Sequence, residues 1–348
     1  MWNDFVTSIF DYAINNNASD IHISDWVMVT YRIDWVLKTV ESFWEIDLPK
    51  IREILVILLK SNKENINKFL TNYDLDFAYV HDAKNSFRVN AFLRLWKISF
   101  VMRKISNEVM DMDTLLLPPA TKLFTELKSW LVLITWPTWA WKSTSMVSIL
   151  DKINSERWDH ILTIEDPVEF IFKNKKSIFS QREVWIDTKS FKEALRSSLR
   201  EDPDIIMIWE LRDRETVESA LELAETWHLV ISTLHTSSSV QTINRLISFF
   251  PLDTQPLVRE KLSESLKWVL SQRLIPKIWW WRIWIFELMI VNTWIKNLIR
   301  NWSINQMFTY IETGTSQWMI TMQKYANIMR DKWFVKEKDY INYFIEQE

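Results

Sequence analysis

Cysteine is absent from the 348 residues, and glycine occurs once. Without cysteine there is no disulfide scaffold and no thiolate zinc site, and the chain suits a reducing compartment. No stretch approaches the roughly 20 consecutive apolar residues of a membrane span. Residues 1–10 carry Asp4 and no basic n-region, so a secretory signal is not expected either. An excess of one charge sign is also missing: 42 Lys and Arg stand against 45 Asp and Glu, a net charge of −3. A nucleic-acid surface would therefore have to be local. The shortage of glycine has the widest consequences. A chain of this length ordinarily holds about 7% glycine, roughly 24 residues; this one holds 1 Gly and 22 Trp, which together come close to that number.

What is present centres on residues 131–144, Leu-Val-Leu-Ile-Thr-Trp-Pro-Thr-Trp-Ala-Trp-Lys-Ser-Thr. An apolar strand enters a short turn, and a helix to about residue 153 opens on Lys142-Ser143-Thr144. This is the layout of a phosphate-binding loop, G-x-x-x-x-G-K-[ST], with Trp136 and Trp141 at the glycine positions. A P-loop wraps consecutive backbone N–H groups around phosphate, a curvature that needs residues without Cβ. Three other places ask for the same exchange. Asp34-Trp35 lies between two strand-like runs, where Asp-Gly would be a hairpin signal. Trp227 follows a helical pattern, at the place of a left-handed C′ glycine. Trp279-Trp280-Trp281 lies between Lys277 and Arg282, where glycines would make a flexible turn. The expectation is that most of these tryptophans are glycine in the living protein, a glycine codon having been translated as Trp.

The length implies two domains. Residues 1–105 read as a small α+β domain: a helix over 5–15, a strand over 18–24, the Asp34-Trp35 hairpin, a helix over 48–60, then strands near 76–80, 86–93 and 98–103. Asp20 and His22 share the strand face opposite Ile21 and Ile23 and are expected to be solvated. Residues 106–120, with Pro118-Pro119, read as a linker. Residues 121–348 begin with a helix over 121–129, continue with alternating strands and helices, the pattern of a mostly parallel sheet, and end in a helical tail over 316–347.

Within the loop, Lys142 is expected to reach the β- and γ-phosphates, Ser143 to hold Mg²⁺, and Thr144 to lie nearer the α-phosphate. The apolar run 204–209 ends in Glu210, placed to polarise a water for attack on the γ-phosphate. A second acidic strand end, Glu165-Asp166, can serve the Mg²⁺ shell or the attacking water. His228 and His235 bracket the strand between them. Arg196, Arg200, Arg212 and Arg214 surround the Glu210 segment, most of them as ordinary ion pairs.

With glycine read for tryptophan, the chain resembles the secretion-type RecA-like ATPases, and among them the type IV pilus retraction (twitching motility) ATPases of the PilT family. The resemblance rests on residues 18–24, 88–92, 136–144, 160–170, 181–184, 193–214, 224–236, 262–276 and 294–300. It implies an α/β protein with a PAS-like N-terminal domain and a RecA-like P-loop NTPase domain, assembled as a homohexamer with ATP at subunit boundaries. The nucleotide site would comprise Trp136, Pro137, Thr138, Trp139, Ala140, Trp141, Lys142, Ser143 and Thr144. The acidic box would be Glu165 and Asp166, with Asp166 and Ser143 toward Mg²⁺. Glu210 would be the catalytic glutamate, and His228 and His235 the histidine box. Arg88 and Arg103 would complete a neighbour's site. Residues 294–300 resemble a stretch associated with retraction, with Lys296 and Asn301 departing from the usual pattern. The implied partner is an inner-membrane pilus platform protein, and the implied place is the cytoplasmic face of that membrane.

Within the same class the rival is a pilus assembly or type II secretion ATPase, disfavoured by the missing cysteines and the short N-terminal domain. A non-catalytic scaffold becomes the reading if the loop tryptophans are real. A RecA-type nucleic-acid translocase lacks a basic stripe or stacking platform.

Overall fold

Val6, Ile9, Phe10 and Ala13 recur at helical spacing, and helix α1 (Trp2–Asn15) buries all four. The computed structural model describes residues 2–34, 36–40, 46–60, 62–82, 85–105, 109–137, 144–278 and 282–336. It divides into two compact units. The first comprises Met1–Glu108 with Glu165–Lys173 and Gln181–Ser190; the second comprises Val109–Ile164, Asn174–Ser180 and Phe191–Glu348.

The first unit is built on strands β1 (Asp20–Ser24), β2 (Thr30–Ile33), β3 (Val36–Thr39), β4 (Asp74–Val80), β5 (Ser86–Arg94) and β6 (Lys97–Ile105). They form a sheet in the order β3-β2-β1-β6-β5-β4, every neighbouring pair antiparallel. Period-two alternation puts Ile21, Ile23, Phe87, Val89, Ala91, Phe100 and Met102 in one core with α1 and α2 (Leu48–Leu58). Helix α3 (Lys63–Asn72), which the sequence reading did not anticipate, starts on Asn62, whose side chain accepts from the backbone N–H groups of Glu64 and Asn65. The hairpin pairs Ile33 with Val36, leaving Asp34 at φ 51; Trp35 lies outside the described residues.

The face opposite Ile21 is not solvated as expected. Asp20 is buried: Arg103 Nε donates to its Oδ1 at 2.8 Å, and Arg32 Nε stands 3.7 Å from Oδ2. The register explains this, because Asp20 is directly opposite both Arg32 and Arg103 on the flanking strands.

The second unit starts, after turns over 109–118, with a 3-10 helix Pro119–Glu126 in place of the expected helix over 121–129. The hydroxyls of Thr121 and Thr125 bond back to the carbonyls of Pro118 and Lys122, which favours the tighter turn. There follow β7 (Trp130–Thr135), α4 (Thr144–Glu156), β8 (His160–Glu165), β9 (Ile178–Glu183), α5 (Phe191–Ser198), β10 (Ile205–Ile208), α6 (Arg214–Glu225), β11 (Leu229–Leu234), α7 (Ser239–Ser248), α8 (Gln255–Ser265), β12 (Leu266–Pro276) and β13 (Arg282–Ile290); Glu165 of β8 and residues 181–183 of β9 count with the first unit. The sheet order is β13-β12-β7-β11-β10-β8-β9. Pairs β12/β7, β7/β11, β11/β10 and β10/β8 are parallel; β12/β13 is antiparallel. The central strands are predominantly apolar and buried at nearly every position, as strands covered on both faces must be.

Helices α9 (Thr293–Arg300), α10 (Ile304–Thr313) and α11 (Met322–Asp331) complete the described chain. The expected helical tail is α11 and a 3-10 turn at Gly314–Gln317; residues 337–348 lie outside the described residues. In α9, within the stretch likened to a retraction segment, Lys296 and Arg300 are tied to α8. Lys296 Nζ lies 2.6 Å from Glu264, and Arg300 Nε lies 3.0 Å from Glu260. The departure at Lys296 thus has a local partner.

Fifteen described residues other than glycine have positive φ, and eight of them are tryptophan: Trp26, Trp96, Trp130, Trp185, Trp227, Trp302, Trp318 and Trp333. Several hold the indole in water, with Trp96 87%, Trp227 84% and Trp333 83% exposed. Trp227 is at φ 68 directly after α6, where a C′ glycine is expected.

Candidate active site

In a parallel sheet, ligands gather at the carboxyl ends of the strands, and of the expected site residues of the second unit Trp136, Pro137, Glu210 and His235 lie there. Strand β7 ends at Thr135 and leads into Trp136 and Pro137, and α4 begins at Thr144. Thr138, Trp139, Ala140, Trp141, Lys142 and Ser143 lie outside the described residues. The side chains at the end of β7 and the start of α4 are polar, buried and paired with β12. Thr135 Oγ1 donates to Ser271 Oγ at 2.9 Å, and Ser145 Oγ donates to Gln272 Oε1 at 2.6 Å.

Strand β10 delivers Glu210, but not as the immediate neighbour of β7: β11 lies between them. His235 ends that intervening strand and faces both sides. Its Nδ1 is 3.4 Å from the Trp136 carbonyl oxygen, and its Nε2 is 3.4 Å from Glu210 Oε1. The chain around Glu210 is pinned to β11. The Leu211 N–H donates to the Thr233 carbonyl at 3.0 Å, and the Thr233 hydroxyl donates to the Trp209 carbonyl. Arg212 Nε donates to Glu210 Oε2 at 2.8 Å.

Burial alone would raise the Glu210 carboxyl, but the hydrogen bonds from His235 and Arg212, with their charges, outweigh it and hold the group down at about 2. A carboxylate so placed stays ionised across the physiological range and takes up a proton weakly. Such a carboxylate can accept a hydrogen bond from a water and orient it.

Trp136 does not suit its position. Its indole is buried, sits edge-on to the His235 ring at 6.0 Å, and leaves its N–H without an acceptor. An unsatisfied buried donor costs about 1–3 kcal/mol.

His228 stands apart from this group at the opposite end of β11. Its Nδ1 lies 3.2 Å from the Leu223 carbonyl and 3.2 Å from Thr226 Oγ1, so it closes the end of α6. Six strand residues separate the histidines by about 20 Å. Arg214 pairs along α6 with Glu218 at 3.8 Å, an ordinary helix-surface contact.

The other residues singled out in the sequence, Glu165, Asp166, Arg88 and Arg103, belong to the first unit. Glu165 is fully buried; its Oε1 accepts from Gln181 Nε2 at 3.0 Å, and its backbone carbonyl accepts from the Val184 N–H at 2.8 Å. Asp166 follows directly. Arg88 is held by Asp76, with Nε 3.0 Å from Oδ2, and by Glu169, with Nη1 3.1 Å from Oε1. Arg103, by contrast, bonds Asp20 and leaves 73% of its side chain exposed. Among the described residues no cluster of three or more His, Asp or Glu could cage a metal ion.

Sequence reasoning missed Gln181 and Glu183. Glu183 accepts from the Ala78 N–H through Oε1 and the Val168 N–H through Oε2, both at 3.1 Å. Burial pushes its carboxyl up to about 7; the two N–H bonds oppose this, and the charges of Asp187 and Glu165 add to it. The available signal was a polar residue at alternate strand positions, 181 and 183, facing a segment that begins with two acids. The folded-state value lies above that of an unfolded glutamate, about 4.3. Stability from this group is therefore full below about pH 4.3 and is lost as pH rises through about 7. Glu183→Gln is expected to flatten that decline, read as urea midpoints at pH 5 and pH 8; an unchanged decline would assign it to another group.

The family model for type II/IV secretion system proteins matches residues 2–280. The chain belongs to the type II/IV secretion system protein family. It is 40% identical over 323 residues to the type IV pilus retraction ATPase PilT of Pseudomonas aeruginosa, covering 91% of each chain. It is 37% identical over 281 residues to a twitching motility protein of Neisseria gonorrhoeae, covering 80% of this chain and 75% of that one. Among solved structures, the pilus retraction motor PilT with bound ADP superposes with a TM-score of 0.87 at 38% identity, covering 97% of this chain and 96% of that one. Both expected architectures are present, the small α+β unit and the mostly parallel sheet of this ATPase family.

Proposed function

We propose that the chain is a Mg-ATP-hydrolysing motor that powers type IV pilus retraction as a homohexameric ring. The observation that supports the ATPase half is the set at the strand ends: Glu210 held ionised, with His235 between it and the first residue of the phosphate loop. The pilus half rests on the 40% identity that runs along 91% of the chain.

In this reading the backbone of residues 136–141 surrounds the phosphates, Lys142 binds the β- and γ-phosphates, and Thr144 lies nearer the α-phosphate. Ser143 and Asp166 would hold Mg²⁺, which neutralises charge on the transferring group. Glu210 orients the attacking water, with Glu165 beside Asp166 in the acidic box. Arg103, of the two N-terminal arginines the more exposed, reaches the neighbouring subunit's nucleotide; Arg88 supports the same face. No helix among the described residues is long and apolar enough to cross a membrane. In this reading, which rests on the likeness to a pilus retraction ATPase, force passes to an inner-membrane platform protein on its cytoplasmic face.

The residues fit a nucleotide on one condition: positions 136, 139 and 141 must lack indoles. The proposal therefore includes glycine in the living protein at most positions written as tryptophan. The eight left-handed tryptophans support it, because L-residues with a large Cβ substituent avoid that region.

Lys142→Ala tests the assignment. Removing a charge-assisted bond worth about 1.5–3 kcal/mol is expected to weaken ATP binding by at least about 10- to 100-fold. A strain carrying the variant should assemble pili and fail to retract them, seen as lost twitching. Retained twitching with lost ATP binding would separate the enzyme from the pilus, and unchanged ATP binding would remove the loop from its role.

A further inference from the structure

Gln181 lies on β9 with all of its amide committed. Nε2 donates to Glu165 Oε1 at 3.0 Å and to the Phe170 carbonyl at 2.7 Å, and Oε1 accepts from the Phe172 N–H at 2.8 Å. The two backbone partners fix which end of the amide is which. The oxygen must face the Phe172 N–H and the nitrogen must face the Phe170 oxygen, so the second N–H points at Glu165. A reversed amide would set donor against donor and acceptor against acceptor. Glu165 is 1% exposed, so its carboxylate is oriented by protein groups of this kind rather than by bulk water.

We infer that Gln181 is a positioning residue for ATP hydrolysis, fixing the rotamer of the Glu165 carboxylate through the hydrogen bond to its Oε1. The peptide between Phe170 and Phe172 acts as the template that orients the amide, and the amide in turn orients the acid. The inference rests on the reading that Glu165 serves the hydrolytic site. Partners that orient a functional carboxylate typically change activity by about 10- to 100-fold when removed.

The test uses the full-length protein as a ring, with steady-state phosphate release and thermal unfolding measured together. Gln181→Met keeps the length of the side chain and removes its hydrogen bonds; kcat is expected to fall about tenfold or more, with KM for ATP nearly unchanged. Gln181→Glu retains an acceptor for Phe172 and turns a second carboxylate toward Glu165; its kcat is expected to fall at least as far, and it serves where the methionine variant does not fold. In the Glu165→Gln background Gln181→Met should add no further loss, because a residue acting through another has nothing left to position. Wild-type kcat in folded Gln181→Met, or a loss that adds in full to that of Glu165→Gln, would overturn the inference. Full hydrolysis by Glu165→Gln alone would instead end the reading of Glu165 on which it rests, so the two failures are distinguishable.

Discussion

Glu210→Gln is expected to leave ATP binding within a few-fold of the wild type while lowering phosphate release by about 100- to 10,000-fold, the range for losing a positioned acid–base group. The geometry sets this expectation. Glutamine keeps the length of the side chain and its place between Leu211 and Trp209, both tied to β11, but it loses the charge that Arg212 and His235 now stabilise. With Glu210 held at about 2, its own protonation does not contribute to an acid limb of kcat anywhere near neutrality. An acid limb around pH 7 in the wild type would point to a different group. Glu183, pushed up to about 7 and under the charge of Glu165, is the candidate. Titrating kcat in Glu183→Gln separates the two: loss of a neutral-range limb in that variant assigns it. Wild-type turnover by Glu210→Gln would withdraw Glu210 from its role.

Much of this was legible in the sequence, for physical reasons that vary by element. Strands β7, β8, β10 and β11 are short apolar runs with polar ends, so pattern alone located them and the acids that follow. Helix α6 was legible through its period and its stop at residue 226. The order of strands was not, because β11 inserts between β7 and β10, and only long-range pairing decides that. The same insertion explains why His235 and not His228 meets Glu210. Strand periodicity put the two histidines at opposite ends of one strand, but it could not say which end met the other parts of the site. Asp20 shows a further limit: alternation assigns a face, and only the register with Arg32 and Arg103 shows that the face is covered. Gln181 and Glu183 escaped notice because their partners are backbone groups at 168, 170, 172 and 78, which carry no sequence signature.

The exchange of tryptophan for glycine carries the largest expected effect. A non-glycine residue held in the left-handed region costs about 1–3 kcal/mol, and eight tryptophans are in that region. Taken together the cost is on the order of 10 kcal/mol, which is comparable with the whole stability of a domain, about 5–15 kcal/mol. The buried indole N–H of Trp136 and that of Trp268, neither with an acceptor, add to it. A chain synthesised with tryptophan at every one of these positions is therefore expected not to hold this fold, and the version with glycine at the same positions is expected to unfold cooperatively at an ordinary temperature. Circular dichroism melts of the two compare them directly. Protein from the native host should have an intact mass lower than the written sequence by one indole side chain's worth for each exchange, with weak absorbance at the tryptophan band. The residues at left-handed φ are the ones whose exchange should matter most for folding; positions 136, 139 and 141 matter most for nucleotide binding, since there the indoles compete with phosphate for space. A host-made mass matching all 22 tryptophans would leave a loop unable to curl around an anion, and with it no motor.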